Sequence, residues 1–159
     1  MAGRKKAEVT LPADGRILIT REFDAPKHLV YRAWTEPGLI ERWWGGERGE
    51  VKSAEVDLRV GGVWRCVMVL DDGSEAAFCG EYREVVTNER IVSTEVYEGA
   101  PGTQALNIVT FEEREGRTTL RVLVEHASNE ARDAHLASGM ETGVQEGLDL
   151  LEGVVLSLG

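Results

Sequence analysis

Basic residues are in short supply: 18 Lys and Arg stand against 28 Asp and Glu, a formal charge of −10. A surface of that sign repels a phosphate backbone and an anionic bilayer, so neither nucleic acid nor a membrane is an expected partner. No apolar run reaches the roughly 20 residues of a transmembrane helix. The opening MAGRKKAEVT is basic, but no apolar segment follows it, and it does not read as a secretory signal. The expected setting is the cytoplasm. Two cysteines are too few for a disulfide framework. No HxxxH or CxxC spacing suggests a metal site. There is no GxSxG, and no Cys with an evident His partner, so a nucleophilic triad has no support. Gly45-Gly46 and Gly61-Gly62 lead into no helix and read as turns, not phosphate loops. No cofactor is implied.

What remains is one domain's worth of chain, 159 residues, long enough for an apolar core. Residues 1–15 read as a disordered tail and 16–159 as a single domain. Arg16 to Phe23 alternates as a strand with Ile17, Ile19 and Phe23 on one face. Asp24-Ala25-Pro26 marks a helix start, with Asp24 as the cap. Pro37 opens a second short helix that carries Trp43 and Trp44 and stops at Gly45-Gly46. From Val51 to His126 the period is two, with turn signals between strands at about 51–58, 63–70, 75–86, 90–97, 104–112 and 118–126. Short connections require antiparallel neighbours. The reading is an α+β fold with a seven-stranded antiparallel sheet.

Two hairpins bear on which residues face inward. A two-residue turn at Glu115-Gly116 sets Phe111 opposite Leu120, Val109 opposite Val122, Asn107 opposite Val124 and Ala105 opposite His126. Opposed residues share a face, and this one is mostly apolar, so Asn107 and His126 are expected inside with it. A two-residue turn at Asp72-Gly73 pairs Cys66 with Cys79, Trp64 with Glu81 and Met68 with Ala77. A bridge between the cysteines would sit near the short limit of disulfide geometry, and a reducing compartment favours two thiols. Both faces of this second hairpin are largely apolar, so pattern does not choose between them.

The last thirty residues, from Asn129 to about Leu158, have helical period. Leu136, Met140, Val144, Leu148, Leu151, Val155 and Leu158 make one stripe, with Asp149 and Glu152 on the other side. A continuous helix of this length spans roughly 40 Å, enough to cross a small sheet. Ser128 or Asn129 can cap it. Gly139, Gly143 and Gly147 recur beside the stripe, at about 1 kcal/mol each relative to Ala. They fit either close packing against a backbone or room left for a ligand. Leu156 falls on the polar face and suggests a self-association surface and a homodimer.

Of the histidines, His135 reads as surface, His28 lies in the first turn of the first helix, and only His126 has an inward direction. It is the candidate proton-transfer group if the protein is an enzyme, with Asn107 to orient it. Glu81 would be inward only if Trp64 is. Trp43, Trp44 and Trp64 suit either core packing or an aromatic pocket.

The blocks REFDAPKHLVYRAWTEPGLIERWWGG, GGVWRCVMVLDDG, GEYREVVTNERIVSTEVY, ALNIVTFEE and EARDAHLASGMETGVQEGLDLL, in that order over residues 16–152, resemble the START-like (SRPBCC) superfamily. Within it they are similar to the branch named for the activator of the heat-shock chaperone ATPase. That resemblance implies the helix-grip (Bet v-like) fold, a curved antiparallel sheet around a long C-terminal helix with a cavity for apolar molecules. It implies no catalytic residue, since relatives range from lipid and hormone carriers to polyketide cyclases and co-chaperones. Where the family often has an aromatic after the central Gly of the long helix, this chain has Gly143-Val144, which would enlarge the cavity. The expected function is binding of a small hydrophobic ligand. Walls come from Trp43, Trp64, Met68, Val109, Phe111, Val122, Met140, Val144 and Leu148, and polar anchors from Asn107 and His126. The alternatives are a cyclase- or dehydratase-like enzyme using His126, and an interaction module acting on a chaperone.

Overall fold

The computed structural model describes residues 7–44, 49–99, 104–137 and 140–159, without the side chain of Met140. Strands form where the sequence alternates: β1 (Glu8–Thr10), β2 (Arg16–Phe23), β3 (Gly49–Val56), β4 (Val63–Leu70), β5 (Glu75–Val86), β6 (Arg90–Tyr97), β7 (Ala105–Arg114) and β8 (Arg117–Glu125). They make one antiparallel sheet in the order β1-β2-β8-β7-β6-β5-β4-β3. Chain neighbours pair from β3 to β8, and β2 closes against β8. The sheet has eight strands, not seven. The additional β1 pairs with β2 and lies inside the stretch 1–15 expected to be a tail. Register shifts at Val51/Ser53 and Tyr82/Glu84 bend β3 and β5.

The β7–β8 register is the expected one, with Phe111 opposite Leu120 and Asn107 opposite Val124. Glu115 and Gly116 have φ of 54° and 79°, the paired positive values of a type I′ turn. The β4–β5 register differs by one residue. Trp64 pairs with Gly80, Cys66 with Phe78, Met68 with Ala76 and Arg65 with Cys79. The Gly73 amide donates to Leu70 O and Leu70 N to Ser74 O, with Gly73 at φ 85°. The loop therefore has three residues and not two, and one residue of slip exchanges the faces. Cys66 turns inward beside Trp64, Cys79 turns outward, and both are free thiols. Glu81 is exposed and pairs with Arg83 at 3.2 Å.

Two short helices follow β2. Helix α1 (Lys27–Thr35) has Pro26 at its cap position and no side-chain cap. Asp24 pairs instead with Arg117 at 2.9 Å. The first-turn amide of Lys27 donates to Glu113 Oε1 at 2.8 Å, so a carboxylate from β7 meets the positive end of the helix. Helix α2 (Pro37–Ile40) is a single turn. Gly45-Gly46 lies outside the described residues.

The C-terminal stretch is helical over α3 (Asn129–Ala137) and α4 (Met140–Leu158). Continuity between them falls on residues 138 and 139, outside the described residues. Ser128 caps α3: its Oγ accepts from Ala131 N at 3.1 Å. Leu148, Leu151, Val154 and Val155 of α4 are buried in one apolar core with Ile17, Phe23 and Val30. Each contributes about 1.5–3 kcal/mol. Arg21, between Ile19 and Phe23 on the inward face, is 1 % exposed. Its Nη1 donates to Asp149 Oδ1 at 2.8 Å, and Nη2 lies 3.5 Å from Glu152. Asp149 and Glu152, read as outward, thus reach down to the sheet.

Removing one partner of a buried ion pair strands the other charge. Asp149→Ala should lower unfolding free energy by about 3 kcal/mol in urea titration. The double variant Arg21→Met/Asp149→Leu should stay within about 1–2 kcal/mol of wild type.

Candidate functional site

Inward residues of seven strands, from β2 to β8, face α4 across a gap. The space has a volume of about 350 Å³ and is partly open to solvent. Its ceiling is the first half of α4, where Gly143, Val144, Gly147 and Leu148 line it. A Cβ on Gly147 would come no closer than 3.6 Å, to the Trp43 carbonyl. That is ordinary contact, so close backbone packing does not account for this glycine.

The aromatic residues come from both sides. Trp34 and Trp43 lie with ring centroids 5.0 Å apart, and Trp44 meets Phe78 edge-on at 5.0 Å. Trp43 Nε1 donates to Ala33 O at 2.8 Å and Trp64 Nε1 to Thr94 O at 3.1 Å. Gly80 makes the second bond geometrically accessible. A Cβ there would stand 1.7 Å from Thr94 O and 2.5 Å from Trp64 Nε1. Only glycine fits beneath this indole.

Among the residues expected to bind, Trp43, Trp64, Met68, Asn107, Val109, Val122, Val144 and Leu148 line the gap. Phe111 does not; it is 2 % exposed and packs on Tyr31, centroids 5.4 Å apart. The Met140 side chain lies outside the described residues. His126 is displaced as well. The β8 ladder ends at Glu125, and the His126 amide turns to donate to Gly15 O at 2.7 Å. Its Nε2 lies 3.0 Å from Nδ1 of His135, and it is His135, expected on the surface, that lines the gap. Burial lowers the pKa of both rings; Arg132 adds to this for His126, and His126 for His135. In the neutral pair one ring donates and the other accepts.

Glu95 was not anticipated. It lines the gap from β6, and its Oε1 accepts from Asn107 Nδ2 at 3.0 Å. Burial pushes its carboxyl above the ordinary range, and the Asn107 bond opposes that in part. Asn107, expected to orient His126, thus bonds to the Glu95 carboxyl instead, and His126 meets His135. Burial, with the charges of Glu95 and Glu41, pushes the Cys66 thiol up to about 12, which makes it a poor nucleophile. Among the described residues no cluster of three or more His, Cys, Asp or Glu could hold a metal, and no helix is long and apolar enough to cross a membrane.

The family model described as Activator of Hsp90 ATPase homolog 1-like protein matches residues 24–155. No curated protein matches the sequence significantly. Among solved structures, a Rhodobacter sphaeroides protein is 24 % identical, covers 96 % of this chain and 99 % of its own, and superposes with a TM-score of 0.89. A Chromobacterium violaceum protein is 27 % identical, covering 89 % and 97 %, with a TM-score of 0.76. An AHSA1-like protein from Aeromonas hydrophila is 24 % identical, covering 89 % and 94 %, with a TM-score of 0.68. At 24 % identity, the first and third of these establish a shared fold alone.

The histidine pair sets a pH dependence with a definite sign. Unfolded histidines take up protons as pH falls through about 6.5, whereas the folded pair resists until lower pH. Its contribution to stability is complete above that value and is lost as pH falls through the lowered folded values. The urea midpoint of wild type should therefore drop more between pH ~7.5 and ~5.5 than that of His135→Gln.

Proposed function

From the membership of this chain in the family of Activator of Hsp90 ATPase homolog 1-like proteins, we propose that it holds one small, mostly apolar molecule between α4 and the sheet. The carrying observation is the gap of about 350 Å³ lined by aromatic and aliphatic side chains with few polar groups. Such a volume lies in the range of about 300–1,000 Å³ typical of small-molecule sites, as does the mix of apolar walls with a few placed polar groups. Gly143, Val144 and Gly147 support the reading, because small side chains on an otherwise apolar helix face leave the room. Asn107, Glu95 and His135 are the polar anchors. His126 acts through His135, which it orients from behind. A cytoplasmic setting accords with two unpaired thiols.

The enzymatic alternative loses its original residue, since His126 does not line the gap. A role on a chaperone rests on the family's name alone.

Filling the gap tests the binding role. Val144→Trp should weaken binding of the neutral dye Nile red by on the order of tenfold or more, as overpacking costs about 1–3 kcal/mol. Thr142→Trp, on the exposed side of α4, should leave it unchanged. Equal fluorescence titrations for wild type and Val144→Trp would refute this site.

A further inference from the structure

We infer that the molecule the pocket selects is an organic cation, an alkylammonium whose charged head sits between Glu95 and the indole of Trp64. This rests on the pocket reading above and adds the ligand's charge.

The register brings the two side chains together. Trp64 pairs with Gly80 across β4 and β5. On the other side of β5, Phe78 pairs with Tyr97, Cys79 with Val96 and Tyr82 with Ser93, so Gly80 stands level with Glu95. Trp64, Gly80 and Glu95 thus form one row on the inward face. The backbones of the outer members lie two strand spacings apart, about 10 Å, and the Trp64 indole reaches over Gly80 toward β6. The indole lies over the glycine with its N–H already committed to Thr94 O, so it offers the pocket no free donor. A cation over a tryptophan face is attracted by the ring quadrupole, the more so when water is excluded.

Charge in the pocket points the same way. Among its described lining residues Glu95 is the acid, and no Lys or Arg is present to neutralise it. Asn107 donates its amide N–H to Glu95 Oε1, an arrangement that favours the carboxylate form. Burial disfavours that charge while the pocket holds no counter-ion. A bound ammonium supplies one. The net charge of −10 attracts cations to the protein as a whole.

Calorimetric titration of the full chain with decyltrimethylammonium, decanol and decanoate, all below micelle-forming concentrations, tests the inference. The cation should bind on the order of tenfold tighter than decanol, and decanoate weaker than either. Glu95→Gln should abolish the advantage of the cation over decanol; it removes a buried charge and should fold. If decanol or decanoate binds as tightly as the cation, the selectivity is refuted while the apolar pocket stands. If none binds, both readings fall. Cation binding that survives Val144→Trp would be adsorption to the acidic surface and would also overturn the inference.

Discussion

The buried pair of Arg21 and Asp149 determines how the C-terminal helix lies over the sheet. Apolar burial has no direction, and a stripe of leucine and valine could slide along a curved surface at little cost. A guanidinium with 1 % exposure cannot leave its carboxylate without stranding a charge. The pair fixes α4 at the level of β2, where Leu151 and Val155 are fully covered. Half a helix earlier the same rod carries Gly143 and Gly147, and there it does not touch the floor. Close packing at one end and a gap at the other follow from one helix that buries Leu151 and Val155 in its second half and lines the gap with Gly143, Val144 and Gly147 in its first.

The floor of the gap is organised by a second constraint, the exclusion of any side chain at Gly80. Because Trp64 rests over that position and bonds to Thr94 O, its indole covers the sheet between β4 and β6. The polar groups are held rather than loose. Asn107 is spent on Glu95, and His126 on His135. Glu95 and His135 each have a second residue that sets their orientation, the arrangement expected where a few polar groups must discriminate among apolar ligands.

The chemistry of the ionisable groups runs in two opposed directions. Burial holds the two histidines neutral by lowering their pKa values, and it raises that of Glu95. Acid therefore destabilises the fold through the imidazoles and relieves it through the carboxyl. Cys66 is buried beside them and remains a thiol, a packing residue with no redox partner, since Cys79 faces the other side of the sheet.

Alternation and turn chemistry alone carried the strands from β2 to β8 to within about two residues, their antiparallel pairing and the β7–β8 register, because Glu115-Gly116 admits a turn whose length leaves no choice, but they missed β1. They carried most of the apolar wall too, since Val109, Val122, Val144 and Leu148 are inward in any arrangement that covers the stripe. Asp71-Asp72-Gly73 allows a loop of two or three residues, and only the packed sheet selected three, which moved Cys79 and Glu81 to the outside. The inward place of Glu95 was hidden because Ile91, Ser93 and Glu95 look no more apolar than Val92, Thr94 and Val96. The exchange of His126 for His135 depended on where β8 ends and on the angle at which the following helix returns. Local sequence specifies period and turn; which polar residue ends inside is set by contacts between residues far apart in the chain, and those exist only once the helix has docked.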